Sequence, residues 1–310
     1  MLIWMSEMRQ RSPLLRSAAV VLFLTVMAVV AEITSQREII FPEVGALCVG
    51  LWLMPKAVWN VRIRQVPLLL TAAALIGLGI NLLLPVCFEV RFAVAFCVVA
   101  LMLRLVRCNM YPVVSAAMLP VLIGTTSWVY PVSVLVISLL LAVGRVWLPQ
   151  TDRTEYHPYG WLHWLKLAAA LCLFLAVEYV LTTLNSKLST LNYTMVPPLV
   201  VTMIEFANRK SGFRERPWTI WGLIVAAAVV GTTAEWGLHH TLGLPMAVGA
   251  LLSAVTMLLL FRRFKPFAPA LAIAMVPMIL PDAALLWFPL LAAIGGAYFI
   301  VAGMVIPSRP

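Results

Sequence analysis

Four glutamates of this sequence fall inside or against long apolar runs: Glu43, Glu178, Glu205 and Glu235. An ionisable group in such surroundings is costly, and its usual role there is to carry protons, ions or a polar solute. Glu178 is the most interior, about twelve residues into KLAAALCLFLAVEYVLTTL (166–184), and is the leading candidate for proton or ion coupling. A hydrogen-bonded structural glutamate is the alternative. Glu43, Glu205 and Glu235 lie within a turn or two of a run's end, where water reaches. Other chemistry is not indicated. Cys48, Cys87, Cys97, Cys108 and Cys172 form no C-x-x-C pair and read as small buried hydrophobes. His157, His163, His239 and His240 lack metal-ligand spacing. The chain contains no G-x-S-x-G or H-E-x-x-H, so no enzyme, cofactor or metal is expected.

Proline supplies the second signal. Residues 111–120 read YPVVSAAMLP and residues 268–277 read APALAIAMVP, with both prolines and an Ala-Met pair recurring 157 positions on. Proline inside a helix removes a donor and clashes with the preceding turn, at roughly 3 kcal/mol. In hydrocarbon such backbone persists only beside protein or a wet cavity. The runs that carry these decamers, 111–124 and 267–281, are short of a full crossing. So are 39–54, with Pro42 and Gly45, and 194–207, which holds Pro197-Pro198. These four are the candidates for broken or half-crossing helices buried in a bundle, and discontinuous helices often build solute sites near the bilayer centre. The candidate path is therefore Pro42, Glu43, Gly45, Tyr111, Pro112, Ser115, Glu178, Pro197, Pro198, Glu205 and Pro269. Kinking or capping for packing alone is the plainer explanation.

The elements around these residues follow from composition. The 310 residues are 63% apolar and 11% charged, with a mean hydropathy of +1.00, against roughly 45–50% and roughly 25% in soluble domains. The expected fold is all-α, a polytopic membrane bundle of about twelve segments: 17–33, 39–54, 66–85, 92–106, 111–124, 129–147, 162–184, 194–207, 218–237, 245–261, 267–281 and 284–305. On this plan 19 of the 22 basic residues fall on one side and 3, Arg37, Arg91 and Lys187, on the other. The positive-inside rule then places both termini in the cytoplasm of a bacterial-type inner membrane. That topology explains the net charge of +10 without nucleic acid. The first apolar run ends in Glu32-Ile33 with no small-x-small cleavage site, and reads as a retained span.

The decamer is part of a longer coincidence. Pro131 and Pro149 follow the first copy and Pro289 and Pro307 the second, each pair eighteen apart. VRIRQVP (61–67) resembles GFRERP (212–217). The chain therefore reads as a first membrane repeat (1–150), a polar linker (151–159) and a second repeat (160–310). Six segments in each half give both the same orientation.

FPEVGALCVGLWLMPKAVWNVRIRQVPLLLTAAALIG (41–77) and YPVVSAAMLP together resemble the HPP family of integral membrane proteins. Pro112 matches the first proline of that family's His-Pro-Pro signature and Ser115-Ala116-Ala117 its small-residue run, with Pro269 and Ala270–Ala274 in the same places later. The signature histidine is replaced by Tyr111 and Ala268, and its second proline by Val113 and Ala270. Some family members are associated with nitrite transport, so the resemblance implies membrane transport without fixing the solute. RERPWTIWGLIVAAAVVGT (214–232) is more weakly similar to aromatic-acid-exporter (fusaric acid resistance) membrane domains.

The expectation is a transporter or permease for a small anionic solute, with lipid and that solute as partners and self-association left open. A non-transporting assembly subunit and an aromatic-acid-type exporter component are the alternatives.

Overall fold

The computed structural model describes residues 13–148 and 159–306. Residues 151–158 of the expected linker lie outside the described residues, as do both termini, Arg9, Arg11, Arg153, His157 and Arg309. Among the described residues the regular elements are helices and there is no strand. In chain order they are α1 (Pro13–Ile33), α2 (Glu43–Cys48), α3 (Gln65–Leu83), α4 (Phe88–Val106), α5 (Pro112–Ile123) and α6 (Val129–Trp147). Then come α7 (Trp161–Leu184), α8 (Pro197–Ala207), α9 (Pro217–Thr232), α10 (Met246–Arg263), α11 (Ala268–Met275), the single turn α12 (Asp282–Leu285) and α13 (Phe288–Val305). Helices α2 and α9 continue as π-helix over Val49–Leu53 and Thr233–Thr241, and a 3-10 stretch, Ser186–Met195, precedes α8.

Seven of these, α1, α3, α6, α7, α9 with its continuation, α10 and α13, are long and apolar enough to cross a membrane. Helix α4 matches them in length at 19 residues but carries Glu89, Arg91 and Arg104. At 1.5 Å per residue, nineteen residues reach about 28 Å, close to the ~30 Å of a hydrocarbon core.

Within the apolar 18-residue stretches of the seven long helices, between 28% and 50% of residues are buried. The short ones are the reverse. Residues 41–52, 112–122, 194–204 and 269–278 are buried without interruption. The bundle therefore has a core of α2, α5, α8 and α11 inside a shell of longer helices. Most of their prolines sit where a helix tolerates them: Pro112, Pro197 and Pro269 occupy the first turn, where the missing N–H would have had no partner. Pro120 and Pro277 are the ones that break the ladder. Pro120 lies inside α5 and frees the carbonyl of Ala116, and the Tyr130 hydroxyl donates to that oxygen at 2.9 Å. Around Pro277 the chain takes another solution. It tightens to a 3-10 turn, Val276–Ile279, and the Val276 N–H takes the Ile273 carbonyl.

Close packing repeats as well. A methyl on Gly77 of α3 would overlap the Ala117 carbonyl oxygen and the Pro120 ring, and one on Gly231 of α9 would overlap the Ala274 oxygen and the Pro277 ring. In both places a glycine lets a long helix lie on the backbone of a short one. Helix α3 packs on α5 and α6, and α9 on α11 and α13. Other contacts cross between the first six helices and the rest: α1 with α10, α4 with α7, α2 with α11 and α5 with α8.

The bundle has two chemically distinct ends. At one, arginines hold carbonyls at helix termini. Arg16 donates to Trp52 O (2.6 Å), Arg104 to Tyr159 O (2.7 Å), Arg145 to Leu148 O (3.3 Å), and Arg214 to Phe206 O, Gly303 O and Met304 O. A cation there also complements the negative end of the helix dipole. At the other end the basic residues have specific partners, with Arg37 3.6 Å from Glu235 and Arg91 3.2 Å from Asn81 Oδ1. Large exposed tryptophans mark both levels: Trp147, Trp161 and Trp218 near the arginine-rich end, Trp128, Trp236 and Trp287 near the other. Trp128 and Trp147 bracket α6 nineteen residues apart, about 28 Å along a helix axis. Such girdles are typical of side chains at the two interfaces of a bilayer.

Candidate functional site

The polar centre of the bundle is Glu43. It stands in the first turn of α2, where the helix dipole favours a negative group, and is 1% exposed. Gly45 explains how it comes to lie there. A methyl at Gly45 would be 2.8 Å from the Leu271 carbonyl, so α2 and α11 cross nearly backbone to backbone. From this crossing Glu43 faces Ser115 of α5, and Tyr130 of α6 lies near it. Tyr130 is committed elsewhere, its hydroxyl to Ala116 O and its ring edge to Phe41 at 6.0 Å. Among the described residues no hydrogen bond of ordinary length and angle reaches either Glu43 oxygen or the Ser115 hydroxyl, and the two side chains interact only weakly with each other. Three polar atoms are thus buried and poorly satisfied at one point. Burying a polar group without a partner costs about 1–3 kcal/mol, and a charge far more. A carboxyl held this way either keeps its own proton or receives a partner that enters.

The remaining sequence candidates fall into separate places. Pro42 directly precedes Glu43, and Pro269 opens α11 two residues before the Leu271 that Gly45 meets. Tyr111 and Pro112 open α5 near the arginine-rich end, where the Tyr111 ring stacks on Tyr159 at 5.9 Å. Tyr159 also donates to Ile204 O at 3.1 Å and neighbours Glu205, so this group ties the start of α5 to the end of α8. Burial pushes the Tyr159 hydroxyl's pKa up, which keeps it a donor. Pro197 and Pro198 head α8, and the Pro198 carbonyl accepts from Thr202 at 2.9 Å.

Glu178 is buried at 3% exposure but lies elsewhere, on α7 against the 3-10 stretch. With the Asn192 amide turned so that its nitrogen faces the carboxyl, that nitrogen donates to Glu178 Oε1 and to Ser189 O, while Oε2 has no partner. Glu178 sits mid-run on a shell helix, whereas Glu43 opens a helix enclosed by all its neighbours.

Sequence reasoning also overlooked Tyr130 and misjudged the burial of Glu235. Tyr130 was part of an ordinary span, although a tyrosine ten residues after an in-helix proline is a donor that could have been sought. Glu235 is 1% exposed and meets Arg37 at 3.6 Å and His240 at 3.4 Å, while His240 is also 3.8 Å from Asp282. The cysteine reading needs correction: Cys48 and Cys108 are buried, but Cys87, Cys97 and Cys172 are exposed. Those three lie on or beside α4 and α7, where an outward-facing side chain is apolar as a rule.

The fold and site define an all-helical protein with seven helices long and apolar enough to cross a membrane, built around a buried, poorly satisfied carboxyl. Compared with protein-family profiles, curated proteins and solved structures, the chain matches none.

Proposed function

We propose that this protein is a secondary transporter or permease for a small anionic solute, related in kind to HPP-type membrane proteins. Its path runs through the seam where α2, α5, α8 and α11 meet. The observation that carries this reading is the Glu43 carboxyl, buried facing the Ser115 hydroxyl with no hydrogen bond of ordinary geometry to either oxygen among the described residues. An interior packed for stability alone would place an apolar residue there. In this reading Glu43 carries a proton, and in that form can donate to an anion beside the Ser115 hydroxyl. The energy then comes from the proton gradient or from the solute's own.

Two parallel repeats of six membrane segments, about twelve in all, complete the proposal. The glycine-on-carbonyl contacts at Gly77 and Gly231 support it, as does the crosswise packing of α1 with α10 and α4 with α7. The arginine-rich end and the tryptophan girdles support an inner-membrane location with that end, and both termini, in the cytoplasm.

Purified protein in proteoliposomes, screened over inorganic anions and aromatic acids with and without a pH gradient, tests the function. Uptake of one solute that rises with an inward proton gradient, and loses that dependence in Glu43→Gln, is the expected result. No flux for any solute, or equal gradient dependence in the variant, overturns the reading.

A further inference from the structure

A second polar feature lies apart from Glu43. At the arginine-rich end a cavity of about 1150 Å³ opens between the loop after α2, the start of α3 and the ends of α4 and α6. Arg62, Arg64, Arg107 and Arg145 line it together with Trp59, Asn60 and Gln65. Among the described residues no carboxylate forms an ion pair with any of the four arginines. Among the described residues no acidic side chain lines the cavity. Trp59 is 5% exposed, its ring lies against Gly50, and its indole N–H has no acceptor. The rim is apolar: Val106 (41% exposed) and Val146 (73%) continue into the outer surfaces of α4 and α6, which would face lipid.

Topology accounts for arginines in cytoplasmic loops, but it does not require four of them, from three separate stretches of chain, to surround one hollow with no counter-charge among the described residues. Arginine forks bind phosphate through paired hydrogen bonds, and basic pockets on the cytoplasmic side of membrane helices hold anionic head groups. We propose that this cavity binds the phosphate head group of an anionic phospholipid from the cytoplasmic leaflet. The arginines and the Trp59 N–H would meet the phosphate oxygens, and the acyl chains would lie along Val106 and Val146. Two phosphates on one head group suit the number of arginines better than one.

The molecule carries its own control. At the same end, Arg216, Arg263 and Lys265 line a smaller hollow of about 340 Å³ that also holds Glu215. Simple charge attraction predicts some lipid retention at both clusters, in proportion to their charge. A built site predicts retention at the first alone.

The test is native mass spectrometry of the full chain released from nanodiscs of phosphatidylcholine with cardiolipin, counting retained lipid. In parallel, the thermal midpoint in detergent is measured with added cardiolipin, glycerol phosphate or inorganic phosphate. Arg62→Gln/Arg64→Gln/Arg107→Gln is expected to weaken cardiolipin retention roughly a hundredfold, and Arg216→Gln/Arg263→Gln to leave it unchanged. All five side chains are at the surface, and elution as a single monodisperse peak checks folding. Losses from both variants in proportion to the charge removed, or none from the first, would overturn the site. A midpoint raised as much by inorganic phosphate or glycerol phosphate as by cardiolipin would overturn the lipid as its source. Failure of solute flux in proteoliposomes would leave this binding result standing, because the cavity and the Glu43 seam are separate.

Discussion

Tyr130→Phe removes one hydroxyl and leaves the ring in place. The side chain is 0% exposed, so no water takes over the Ala116 carbonyl that the hydroxyl serves at 2.9 Å. That carbonyl needs an outside donor only because Pro120 sits four residues on. A buried carbonyl without a donor costs about 1–3 kcal/mol, while interhelical hydrogen bonds in membrane proteins average nearer ~0.6 kcal/mol. The substitution is therefore expected to destabilise the protein by about 1 kcal/mol. In a Pro120→Ala background the restored N–H takes the same carbonyl, and Tyr130→Phe should then cost close to nothing. Unfolding of the full chain in mixed micelles, followed by circular dichroism for all four variants, gives the coupling directly. The packing changed by losing the proline ring cancels in that cycle. An equal cost in both backgrounds would refute the reasoning. It would place the value of Tyr130 in its contact with Phe41 or its nearness to Glu43 instead.

Three further outcomes follow from the geometry. Gly77→Ala and Gly231→Ala each press a methyl onto a helix backbone and should cost about 1–3 kcal/mol; Gly79→Ala, with nothing within 4 Å, should be neutral or slightly stabilising by the same measurement. If Glu178 rather than Glu43 couples proton movement, Glu178→Gln abolishes the proton dependence of flux with folding intact. Retained dependence in that variant, with loss in Glu43→Gln, assigns the coupling to the α2 seam. Cysteines placed at Lys210 and His240 in a background without the native five should label from opposite sides of intact vesicles, and labelling from one side would undo the proposed topology.

Much of the architecture could be read from residue order because a bilayer constrains composition so strongly. Apolar runs of membrane length, interrupted by short basic connections, become long helices whatever their neighbours do. The helices α6, Val129–Trp147, and α7, Trp161–Leu184, start and end within a residue or two of the expected segments. The four short proline-bearing runs were also recognisable as interior pieces, since a chain with freed carbonyls cannot face hydrocarbon. The 3-10 stretch at Ser186–Met195 and the two π-helical continuations were not. They depend on side chains reaching from distant helices, as Arg16 does to the Trp52 carbonyl.

The site shows the same division. Sequence alone determined that glutamates and proline-interrupted segments would be buried, because each is too costly in lipid to be incidental. Only the tertiary structure decided which glutamate became the centre. Gly45 brings α2 against the backbone of α11, and that crossing encloses Glu43 beside Ser115. Glu178, deeper along its own run, comes to rest on a shell helix with Asn192 to meet it. Burial in a bundle depends on how many helices surround a residue, and distance from the end of a run carries no information about that.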